Sequence, residues 1–111
     1  AYYIETITNQ LAEKALTIFK QIENGGGFLK QLKEGIIQKK ITESAKKEEE
    51  KFNSKTIVLL GTNLQVNNAD KMKQDLELYP FVKQRQIKTL ITPIVRKRLS
   101  ETIEKERLDN E

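Results

Sequence analysis

A chain of 111 residues without one cysteine or histidine has no disulfide, no zinc-thiolate site and no catalytic pair built on those side chains. Its residues are 37% hydrophobic and 32% charged, which is polar for a compact domain but too patterned for disorder, and a thin helix-rich layer in need of a neighbour fits that balance. The net charge of +4 from twenty basic and sixteen acidic residues, with the signs interleaved, describes a solvated surface better than a one-signed nucleic-acid stripe.

A self-contained enzyme would have to work with Lys, Asp, Glu or Tyr, and no pair of these sits in an apolar context. Independent catalysis is therefore not expected, and with neither His nor Cys the commonest metal ligands are missing. No signal peptide, transmembrane run or lipidation motif is visible, so the expected setting is reducing and cytoplasmic, away from membranes. The opening Ala1-Tyr2-Tyr3-Ile4 reads as a chain cut from something longer.

Tyr2 to Glu5 has the aromatic and β-branched character of a short strand, after which Thr6 or Thr8 can cap a helix. From about residue 7 to 23, Ile7, Leu11, Ala15, Ile18, Phe19 and Ile22 share one half of a helical wheel and polar residues fill the other. Asn24-Gly25 is the expected C-cap, with Gly25-Gly26-Gly27 forming a tight corner before Phe28. Phe28 to Lys33 predicts a short helical turn, and Gly35 a break. A third helix is expected from Ile36 to about Phe52, with Ile37, Ile41, Ala45, Glu48 and Phe52 on one stripe and Lys46 paired to Glu50 across one turn.

Thr56 to Leu60 is an unbroken apolar run that predicts a buried strand ending at Gly61-Thr62-Asn63, with Gly61 in a turn. Asn67 to Asp70 can start a short helix through Leu76, ended by Tyr79-Pro80-Phe81. Thr92-Pro93 predicts a last helix from 93 to about 108. In that frame Arg96, Lys97 and Arg98 fall in the first turns and Glu104, Glu106 and Asp109 near the end, opposed to the helix dipole, so this helix is expected to need a docking surface.

Taken in order, Tyr2-Tyr3-Ile4-Glu5, Leu11-Ala12-Glu13-Lys14-Ala15, Gly25-Gly26-Gly27-Phe28, Gly35-Ile36-Ile37-Gln38 and Leu60-Gly61-Thr62-Asn63 resemble methylmalonyl-coenzyme A mutase over about residues 2 to 63. The resemblance implies a mainly α piece with one or two short strands, the excised edge of a (β/α)8 barrel. Residues 1–53 would hold the last barrel strand and following helices, and 54–111 the post-barrel strand and a C-terminal helical segment, in one structural unit. It implies an assembly that interconverts methylmalonyl-coenzyme A and succinyl-coenzyme A with adenosylcobalamin. The cobalamin domain of that family carries an Asp-x-His-x-x-Gly motif whose histidine ligates cobalt, and this chain has no histidine.

Ile91 to Leu99 looks more like the small, non-cobalamin-binding subunit, which implies a structural role in a heterodimer with a catalytic mutase subunit. No catalysis by this chain alone and no cofactor bound by it are expected, and self-association through uncovered apolar surface is. The alternative reading is a free-standing helical interaction module whose Arg96-Lys97-Arg98 run touches an acidic partner or, less in keeping with the interleaved charge, nucleic acid.

Overall fold

The computed structural model describes residues 1–83 and 85–111. Among the described residues four helices, α1 (Tyr2–Asn24), α2 (Phe28–Lys33), α3 (Ile36–Asn53) and α4 (Glu101–Asp109), are joined by turns and irregular backbone. The chain divides into two compact units, Ala1–Lys40 with Thr89–Pro93 and Ile41–Lys88 with Ile94–Glu111, the boundary falling within α3.

In the first unit, α1 begins five residues earlier than the apolar period predicts and absorbs the expected Tyr2–Glu5 strand. A strand is stable only with a partner, and none pairs with it among the described residues, whereas helical bonding is local, starting with Glu5 N–H to the Ala1 carbonyl at 3.0 Å. Thr6 and Thr8 are consequently interior residues rather than caps. Their hydroxyls donate back to the Tyr2 and Ile4 carbonyls, each at 2.8 Å, and Thr17 does the same to Glu13 at 2.9 Å, the usual way a hydroxyl is accommodated within a helix.

The three glycines divide the work of the corner. Gly26 N–H donates to the Glu23 carbonyl at 3.2 Å and Gly27 N–H to Ile22 at 3.0 Å, the paired bonds of a Schellman ending. The left-handed residue of that motif is Gly26, at φ 101°, whereas Gly25 has φ −82°, so the positive φ expected near Asn24-Gly25 falls one residue later. Gly25 serves a different need: a Cβ there would collide with the side-chain amide of Gln31 on α2. Gln31 is only 6% exposed, so the missing Cβ lets α2 fold back against the end of α1. Gly27, at φ 92° and ψ 164°, then starts α2 with its carbonyl accepting from Gln31 N–H at 3.1 Å.

Gly35 breaks the helix as the sequence predicts, with φ 78°. Just beyond it, the buried Gln38 amide donates to the Leu32 and Thr92 carbonyls, both at 2.9 Å, tying the 89–93 strip to the α2–α3 junction.

In the second unit, the buried apolar side chains are Phe52, 4% exposed at the end of α3, and Phe81, 5% exposed. The apolar run 56–60 forms no strand: Leu60 makes an isolated bridge with Leu64, and Leu60 itself is exposed. Without neighbouring strands its backbone is satisfied instead by Asn63. The Asn63 Oδ1 accepts from Leu59 N–H at 2.8 Å, while Nδ2 donates to the Ile57 carbonyl at 2.8 Å and the Phe52 carbonyl at 3.2 Å, closing the loop onto the end of α3. Gly61 lies in the turn as expected, at φ 82°.

The predicted helix from Asn67 is also absent. Asn67 accepts from Ala69 N–H at 3.1 Å and donates to Asp70 at 2.7 Å, so its side chain forms a local turn that competes with a helix start. Thr92-Pro93 likewise begins no helix: α4 starts eight residues later, at Glu101. The reason is electrostatic and local. From 101, Glu101 and Glu104 occupy the first turn and Arg107 the last, so the charges run with the dipole rather than against it.

Two substitutions test these local devices. Gly26→Ala places a Cβ in the left-handed region and is expected to cost about 1–2 kcal/mol, read as a loss of helicity and a lower urea midpoint. Asn63→Ala removes the partners of the Ile57 carbonyl and the Leu59 N–H, while the Phe52 carbonyl keeps its bond from Lys55 N–H, and amide exchange at Leu59 is expected to rise roughly tenfold, the effect of losing about one hydrogen bond.

Candidate functional site

Helix α1 presents the most extensive candidate surface. Ile4, Leu11, Ile18 and Ile22, with Ile7 and Ala15 between them, repeat at three- and four-residue spacing along a helix about 35 Å long. None of α1's residues is buried; Leu11 is 62% exposed and Phe19 59%. Fully covering an exposed Leu or Ile stabilises by about 1.5–3 kcal/mol, and with Ile4, Leu11 and Ile18 each little more than half exposed the stripe represents roughly 3–6 kcal/mol of unrealised burial, a large share of the stability of a small domain. A contiguous apolar band of this kind is a candidate interaction surface.

The second unit carries a charged cluster around α4. Lys97 pairs with Glu49 of α3 at 2.7 Å, and Lys105 with Glu101 at 2.9 Å across one turn of α4. Arg98 grips Glu104 through both of its terminal nitrogens, at 2.6 and 3.3 Å, while the Ser100 hydroxyl donates to the same carboxylate at 2.7 Å. The expected Lys46–Glu50 pair is not made among the described residues, and Glu48 lies exposed on α3. Of the Arg96-Lys97-Arg98 run singled out from sequence, two members are thus neutralised, and Arg96 has no acidic partner among the described residues.

The electrostatics of this cluster suit structure rather than proton transfer. A hydrogen bond from the Lys105 ammonium, reinforced by the charges of Lys105 and Arg98, holds the Glu101 carboxyl below its ordinary value. Glu111 is lowered too, chiefly by the backbone N–H of Lys73 and also by that of Met72, at 2.7 and 2.5 Å. A carboxylic acid that donates a proton near neutrality needs the opposite shift. No group of three or more metal-ligating side chains occurs among the described residues, and none of the described helices is long and apolar enough to cross a membrane.

The depressed Glu101 value carries a sign. A carboxyl whose folded pKa lies below its unfolded one contributes stability above the unfolded value, and that contribution is lost as pH falls through the folded value. An NMR titration of Glu101 is expected to show its midpoint below that of an exposed glutamate, and Lys105→Ala to move it upward.

The sequence model of the family described as methylmalonyl-CoA mutase matches residues 1–110, well past the 2–63 span that carries the motif resemblance. The chain is 29% identical to the methylmalonyl-CoA mutase large subunit of Porphyromonas gingivalis over 89 residues, 69% of this chain and 12% of that protein. It is 36% identical to the small subunit from the same organism over 63 residues, 57% of this chain and 10% of that protein. Against the 2-hydroxyisobutanoyl-CoA mutase large subunit of Aquincola tertiaricarbonis it is 29% identical over 81 residues, 73% of this chain and 14% of that protein. No solved structure matches. The match therefore spans about one-eighth of the length of these relatives, and over almost its entire length this chain belongs to the methylmalonyl-CoA mutase family.

Proposed function

We propose that this chain is a structural segment of a methylmalonyl-CoA mutase subunit, the small, non-cobalamin-binding one, lying at the edge of its (β/α)8 barrel. Residues 1–53 would hold the end of the barrel, with α1 as its last helix, and 54–111 would form the post-barrel segment. The observation that carries the reading is the uncovered apolar stripe of α1 in a chain that matches only 10–14% of its relatives' lengths. The rest of the mutase would cover that stripe, and the segment would contribute to pairing with the catalytic subunit in the cytoplasm.

In such an assembly adenosylcobalamin would supply the radical chemistry that interconverts methylmalonyl-CoA and succinyl-CoA. The residues of this chain do not fit that cofactor's cobalt ligation, since an imidazole is needed and the chain has no histidine. Its share in the activity would be to complete the fold around the site.

Sedimentation velocity tests the reading together with co-purification. The isolated chain is expected to self-associate with rising concentration and to co-purify with a mutase catalytic subunit when the two are co-expressed. Leu11→Asp combined with Ile18→Asp should leave a dispersed chain that no longer co-purifies. A wild-type chain that stays monomeric and alone would contradict it.

A further inference from the structure

The signs of charge interleave along most of the chain, but not everywhere. Between Leu78 and Ser100 there are six cations, Lys83, Arg85, Lys88, Arg96, Lys97 and Arg98, and no aspartate or glutamate. This stretch carries +6 in a chain whose total is +4, so the remainder is slightly acidic.

Within the second unit, part of the stretch lines an open cleft of about 380 Å³ whose walls include Val82, Val95, Arg96, Lys97, Glu101 and Lys105, the Glu101 carboxylate being already paired to Lys105. A depression of about 270 Å³ shares Val82, Arg96, Lys97 and Glu101 and extends the groove toward Pro80 and Arg98. Lys97 and Lys105 are already paired to carboxylates, which leaves the exposed Arg96 guanidinium as the group with unspent charge. A guanidinium fork suits a carboxylate or phosphate oxygen pair.

The apolar part of the lining decides between classes of partner. Val82 is half-buried, and Val95 and the neighbouring Ile94 are exposed, so cations and branched aliphatic side chains share this surface. Nucleic-acid grooves instead offer aromatic rings for base stacking. Here the nearby rings are engaged: Tyr79 and Phe81 meet edge to face with centroids 5.5 Å apart, Lys83 lies 5.1 Å over Tyr79, and Lys105 5.2 Å over Phe81.

We propose that this cleft docks an acidic segment of a partner protein, with a carboxylate on Arg96 and an adjoining aliphatic side chain between Val82 and Val95. The contact is separate from the apolar face of α1 and does not depend on what covers that face.

The test is fluorescence anisotropy of a labelled peptide of alternating Glu and Leu against the full 111-residue chain. The peptide is expected to bind, to weaken steeply with added salt, and to lose about tenfold in affinity with Arg96→Gln, as for removal of one charge-assisted contact. Arg96→Lys should retain the salt dependence and recover only part of the affinity, which keeps the test valid if Arg96→Gln disturbs the fold. The Leu11→Asp, Ile18→Asp variant should bind the peptide as wild type does, which separates this contact from the α1 interface. Absence of binding, binding indifferent to both Arg96 variants, or equal affinity for single-stranded thymidine oligonucleotides would overturn the proposal.

Discussion

An amphipathic helix of 23 residues whose apolar stripe is exposed at Ile4, Leu11 and Ile18 and only half-buried at Ile7 and Ile22 is the constraint on which the rest of this structure turns. Burial of apolar surface is the dominant favourable contribution to folding, and here the described residues supply two buried apolar side chains, Phe52 and Phe81, both in one unit. In the other unit the buried side chains are the amides of Gln31 and Gln38. Amides give geometry more than stability, since each hydrogen bond is a small net gain over water while leaving one unmade is costly. The chain thus specifies its local shape well while much of the apolar stripe of α1 stays exposed.

Local shape is fixed by a few side-chain and backbone devices of this kind. The glycine corner combines a left-handed helix ending at Gly26 with the bare Cα of Gly25, where Gln31 needs the space. Gln38 fastens the 89–93 strip through the Thr92 carbonyl. Asn63 performs the equivalent task for the 57–63 loop, using both ends of its amide to replace the bonds that a sheet would have supplied. All three are short-range or single-residue solutions, which suits a chain with little core to organise it.

That distinction also explains what the sequence revealed. The periodicity of α1 from Ile7 to Ile22, the breaks at the glycine corner and Gly35, and the extent of α3 were readable because each is a local signal. Tyr2–Glu5 and Thr56–Leu60 look like strands in the sequence because β-propensity describes a residue's fit to a sheet, and among the described residues these segments have no sheet to fit. Thr92-Pro93 satisfies the capping rule and so predicts a helix start eight residues before the observed one. The acids at 101 and 104 followed by Arg107 were the better marker, and the conflict between charge order and dipole in a helix starting at 93 already pointed to them. The interleaving of charge hid the acid-free stretch around Arg96, which shows only when charge is counted by segment. Family membership was legible in residues 2–63, although the match itself continues to residue 110.

Membership in the methylmalonyl-CoA mutase family and an uncovered α1 point in the same direction: a segment whose stability is completed by the protein around it. Hydrogen–deuterium exchange of α1, compared between the isolated chain and the chain co-purified with a mutase catalytic subunit, tests this most directly. The amides of residues 4 to 22 are predicted to exchange readily in isolation and to become strongly protected in the complex. Equal protection in both states would contradict the account, because α1 would then owe nothing to a covering partner.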